Sequence, residues 1–135
     1  MSLGIFKNGM KKVYHYIFYK LYRYMLTTPN SNLALNGAVI YLSIGLLFNS
    51  ITINLLLNKF FKLYAMSGNS FLIYYFNHWY FKKDNLYLKI EERFSVESKR
   101  QKALGNIFVF VFVVGSVIFF MLTGYVVNKY FGGFK

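Results

Sequence analysis

Asn106–Asn128, NIFVFVFVVGSVIFFMLTGYVVN, is the stretch on which the reading of this chain turns. Its Val, Ile and Phe content would favour a strand in water. It sits, however, inside a run from Ala103 to Asn128 that holds no Asp, Glu, Lys or Arg. That run exceeds the roughly 20 residues a helix needs to cross a hydrocarbon core. In lipid an open strand leaves backbone groups unpaired at several kcal/mol each, so the sequence predicts a membrane-spanning helix over 105–128. Tyr125, Lys129 and Tyr130 would mark its far interface, and Gly105-Asn106 its joint with what precedes it.

Two more charge-free runs lie upstream, Tyr24–Asn58 and Leu63–Phe81. The first is interrupted by Thr27-Thr28-Pro29-Asn30-Ser31-Asn32, a cluster of turn and cap residues with the only proline. A span over 33–58 follows, closed by Lys59 and Lys62 snorkelling to the interface. The second run, 63–81, is barely long enough and contains Ser67, Gly68, Asn69, Ser70, Asn77 and His78. It spans, re-enters or lies in the interface. Basic residues favour spanning: with three spans and the N-terminus inside, twelve Lys and Arg face the cytoplasm and four face out. With two spans the division is nine to seven.

Before these spans, Ile5–Leu26 mixes basic and aromatic residues. On a helix Met10, Val13, Ile17, Leu21 and Met25 share one face and Lys12, Tyr16, Lys20 and Arg23 another. This predicts an amphipathic helix over 5–26 lying in the interface, with Lys11, Lys12, Lys20 and Arg23 at the lipid headgroups. The competing reading is a helix packed on its own protein or on a partner. No signal peptide, myristoylation site or prenylation site is expected from the sequence. Residues 82–104 hold all four acidic side chains, Asp84, Glu91, Glu92 and Glu97. Leu86, Ile90 and Phe94 form a stripe, and Arg93–Glu97 and Glu97–Arg100 can pair across a turn. A short charged cytoplasmic helix before the last span is expected. The whole is one all-α integral membrane domain, 1–135, with three, alternatively two, transmembrane helices.

Composition supports that class: apolar residues make up 56% and charged ones 15%, against about 25% charged in soluble chains. The absence of cysteine removes disulfides and thiolate metal sites. His15 and His78 have no second ligand at suitable spacing, so no metal or other cofactor is expected, and Asn77-His78 reads as a polar anchor. No paired carboxylates, nucleophile motif or phosphate loop suggests an enzyme. The net charge of +12 would suit nucleic acid, but beside membrane spans it suits anionic lipid headgroups, so no nucleic-acid partner is expected.

One intramembrane pattern remains. Asn36, Ser43, Ser50, Asn54 and Asn58 recur at helical spacing and form a polar stripe down the first span. It either bonds to a neighbouring helix or lines a conduit in an oligomer. Packing is favoured because no ionisable group joins the stripe.

From Ile90 to Phe120, IEERFSVESKRQKALGNIFVFVFVVGSVIFF combines a charged helix, a Gly-Asn joint and a Phe/Val-rich final span. With the Tyr- and Lys-rich stretch Tyr14–Tyr24, it resembles a group of small uncharacterised multi-pass inner-membrane proteins of Bacteroidota. The resemblance implies the bacterial inner (cytoplasmic) membrane and no particular activity. The expected role is an accessory subunit of a larger membrane complex, acting by helix packing. The alternative is a homo-oligomeric pore-forming or membrane-disrupting effector, a toxin or defence protein.

Overall fold

The computed structural model describes the backbone of residues 2–61 and 70–131 and the side chains of 8–58 and 71–130. The first part of the expected second span, 63–69, the snorkelling of Lys59 and Lys62, and the tail from 132 lie outside the described side chains. All regular structure among the described residues is helical: α1 (Ser2–Leu26), α2 (Ala34–Phe61), α3 (Ser70–Lys82), α4 (Leu86–Phe94) and α5 (Lys99–Phe131), with short 3-10 turns at Ser31–Leu33 and Lys83–Asn85.

Each joint has a local cause. At the end of α1 the hydroxyls of Thr27 and Thr28 donate to the carbonyls of Tyr24 and Met25 at 2.6 and 2.7 Å, and Pro29 prevents continuation. Between α3 and α4 the chain turns on Asp84 and Asn85, both at left-handed φ near +50° (53° and 52°). Asp and Asn tolerate that region better than other non-glycine residues. Before α5, the Ser98 and Gln101 side chains cap each other's backbone N–H at 3.2 and 3.0 Å, a reciprocal capping box.

These joints correct two expectations. The charged segment 82–104 is not one helix: it is divided at Asp84-Asn85 and again at 95–98. Gly105-Asn106 is no joint either, because α5 runs through it from the capping box at Ser98.

Only α2 and α5 among the described helices are long and apolar enough to cross a membrane. At a rise of about 1.5 Å per residue they measure about 42 and about 50 Å. Their apolar windows are 28% and 17% buried, whereas the core helix of a soluble protein would be mostly covered. The 13 residues of α3 reach about 20 Å, short of a hydrocarbon core by themselves.

The contact registers give the directions. Asn49 meets Ser116, Gly45 meets Phe112 and Phe48 meets Phe120, so numbers rise together and α2 and α5 are parallel. Tyr14 meets Asn77 and Phe18 meets Phe81, so α1 and α3 are also parallel. Met25 lies against Gly37 while Met10 and Val13 lie near Leu46, so α1 runs opposite to α2. Two of these helices run one way and two the other, with α4 alongside α1, where Tyr22 meets Tyr87 and Tyr16 meets Phe94.

α1 is the most enclosed helix. Ile17, Phe18, Tyr19, Leu21 and Tyr22 are buried together with His15 and Lys20. Over this stretch α1 packs within the chain itself, the competing reading of the sequence, while Met10, Lys11, Lys12 and Val13 are exposed. Phe18 and Phe81, both fully buried, stack with ring centroids 3.7 Å apart at the centre of this end. Among the described residues the other end is formed by α2 and α5, with Ile53, Met121, Leu122 and Tyr125 exposed.

Candidate functional site

The polar side chains form three groups stacked along the bundle. In the first, α3 presents Asn77 and Phe81 one turn apart, facing Tyr14 and Phe18 one turn apart on α1. The parallel register brings the Tyr14 hydroxyl to the Asn77 Oδ1, to which it donates. The Asn77 Nδ2 donates to Ser43 Oγ at 2.9 Å, so this amide, only 1% exposed, ties α1, α2 and α3 together. Beside it, His78 Nε2 lies 3.1 Å from Asn36 Oδ1, and His15 Nε2 lies 2.9 Å from Tyr80 Oη. Burial foremost, then the positive charges of Lys11 and Arg93, lowers the His15 imidazole below its ordinary value. His15 is thus held neutral at the heart of the fold.

The second group closes the crowded end. Lys20 Nζ contacts Glu97 Oε2 at 2.6 Å, and the Tyr16 hydroxyl donates to Glu97 Oε1 at 2.6 Å. The ammonium also donates to the Lys102 carbonyl at 3.3 Å. Both members of the pair are largely buried, at 5% and 11% exposure. Burial and the bond to Glu97 raise the Tyr16 phenol well above its usual value, so it remains a donor. The approach of α1 to α5 here requires Gly105, because a Cβ at that position would run into the Tyr16 hydroxyl and the Lys20 Cε. Nearer solvent, Arg23 pairs with Glu91 at 3.2 Å.

The third group joins the long helices: Asn49 Nδ2 donates to Ser116 Oγ at 2.9 Å, and that hydroxyl donates to the Phe112 carbonyl at 2.6 Å.

The residues singled out in the sequence distribute across these groups. Asn36 and Ser43 bond to α3, while Ser50, Asn54 and Asn58 are half-buried further along α2. The polar anchor Asn77 and His78 is where both first bonds end. Lys11 and Lys12 are exposed, and Arg23 is exposed but paired with Glu91. Lys20, expected at the headgroups, is instead buried and paired with Glu97. Glu97 is a correction as well, since it pairs with Lys20 rather than with Arg93 or Arg100. It lies in the bend outside both helices, where neither turn-spaced partner faces it.

Sequence reading missed Tyr80, Asn49 and Ser116, and named Tyr14, Tyr16 and Gly105 only in other roles. Ser116 offered a signal, as a hydroxyl within a Val/Phe run. The tyrosines offered none, being indistinguishable from the others around them.

Chemically the arrangement holds helices together. Its bonds are amide, hydroxyl and imidazole contacts plus one buried ion pair, and no three His, Asp or Glu side chains converge among the described residues. Beside the ion pair, a groove of about 670 Å³ opens between α1, the first half of α2 and the start of α5. Comparison with protein-family models, curated proteins and solved structures finds no match for this chain.

Proposed function

We propose that this chain is a non-enzymatic integral membrane subunit that crosses the inner membrane of a bacterium three times, with the starts of α2 and α5 in the cytoplasm. It works by packing against a larger membrane partner. The observation that carries this reading is the use made of the polar stripe on α2. Asn36 and Ser43 are bonded to α3, and their neighbour Asn49 to α5, within one chain. Groups spent on internal hydrogen bonds stabilise the bundle and do not line a conduit.

Three crossings are supported by direction. Two parallel helices that both cross a bilayer require the chain to return between them, and 62–82 is the segment available. The seven basic residues from Lys82 to Lys102, against Lys59, Lys62, Lys129 and Lys135 beyond the far ends, support a cytoplasmic start for the long helices. The apolar flank of α5, with Phe110, Val111, Ile118, Met121 and Leu122 exposed, supplies the surface for a partner or lipid.

The mass of the complex extracted gently from its native membrane tests the role. A stoichiometric larger partner is expected. A ring of copies of this chain alone would replace the accessory reading with the pore-forming one.

A further inference from the structure

We propose that the groove beside the Lys20–Glu97 pair binds one anionic glycerophospholipid drawn from the surrounding bilayer. The groove is graded along the axis of α5. At the crowded end its rim carries Arg23, Lys102 and Asn106. Deeper, the wall becomes Val109, Phe110, Val113 and Val114, faced by Tyr41 of α2. Lys102 and Val114 are twelve positions apart, or about 18 Å along the helix. This is the gradient of a lipid molecule: a charged head, a polar joint and an apolar chain.

Charge selects the head. Around the rim Lys20 is balanced by Glu97 and Arg23 by Glu91, which leaves Lys102 as the unbalanced charge among the groove-lining side chains. One net positive charge matches a phosphodiester with one negative charge. Contact with Glu91 involves one terminal nitrogen of Arg23, and a guanidinium has five N–H donors, so it can hold Glu91 and a phosphate oxygen together. A volume of about 670 Å³ lies within the range of about 300–1,000 Å³ common for small-molecule sites. The occupant therefore comes from the membrane beside α5, head toward Lys102 and one acyl chain along Val109–Val114.

The full-length chain, purified in a non-ionic detergent, is titrated with phosphatidylglycerol, phosphatidylcholine or glycerol 1-phosphate, and bound molecules are counted by native mass spectrometry. One phosphatidylglycerol is expected per chain, bound about five-fold or more tighter than phosphatidylcholine. Glycerol 1-phosphate should fail to compete. K102Q, at an exposed position, should erase the preference for the anionic head. N106W, which blocks the groove at its rim beside the apolar wall, should remove binding of both lipids with the thermal midpoint of the lipid-free chain kept. Equal binding of the two lipids, unchanged binding in both variants, or competition by glycerol 1-phosphate alone would overturn the proposal.

Discussion

Glu97 is the residue on which the crowded end depends. Its carboxylate receives the Lys20 ammonium on one oxygen and the Tyr16 hydroxyl on the other, and all three groups lie within the chain. Removing one partner of a buried pair leaves the other charge desolvated, at a cost of about 3–5 kcal/mol. Glu97→Gln should therefore lower stability by that order in a denaturant titration of the detergent-solubilised chain. Adding Lys20→Met to Glu97→Gln should recover much of the loss, which a merely local defect at Glu97 would not allow. His15 gives the fold a pH dependence of defined sign. Its folded-state pKa is depressed below the ordinary 6.5, so the unfolded chain binds the extra proton first as pH falls. The stability it contributes is complete above about pH 6.5 and declines below, through the folded value. Phenylalanine at position 15 should flatten this slope in unfolding curves taken between pH 8 and pH 5. Neither Glu97 nor His15 could be placed from sequence. Their partners are 77 and 65 residues away, and nothing local distinguishes Lys20 from Lys11 or Tyr80 from Tyr75.

At the scale of helices, close approach and buried amides decide which elements meet. Gly105 lets α5 touch α1, and Gly105→Ala would push a methyl group into the Tyr16 hydroxyl and Lys20. Overpacking of this kind costs about 1–3 kcal/mol, and the variant should show a lower thermal midpoint with greater access to Lys20 for amine-reactive label. Asn77 plays the corresponding part for α3. Asn77→Leu strands the Ser43 and Tyr14 hydroxyls and should cost about 1–3 kcal/mol, whereas Asn54→Leu, on the half-buried part of the stripe, should cost less. Ion leak abolished by Asn54→Leu with assembly intact would instead favour a pore. The two long helices were legible because absence of charge over more than 20 residues is a strong signal that needs no partner to interpret. Residues 33–58 and 105–128 were read, and helices Ala34–Phe61 and Lys99–Phe131 are observed. The capping box at Ser98–Gln101 was also present in the letters, but the expected charged helix obscured it. The enclosure of α1 was not legible: periodicity separates two faces of a helix without saying what covers the polar one.

The whole molecule is asymmetric. One end gathers α1, the last turns of α3, α4 and the first turns of α2 and α5 around Phe18 and Phe81; among the described residues the other is a parallel pair with apolar flanks exposed. With three crossings, the starts of α2 and α5 lie on one side of the bilayer and their flanks face lipid or a partner. The account rests on both long helices crossing in the same direction. The most direct test uses single cysteines in a chain that has none of its own, at position 32 before α2, position 100 in the first turn of α5, and positions 58 and 129 near their far ends. Labelling intact cells with an impermeant thiol reagent should reach positions 58 and 129 and spare 32 and 100. Positions 32 and 100 on opposite sides of the membrane would contradict the parallel crossing, and with it the three-span subunit.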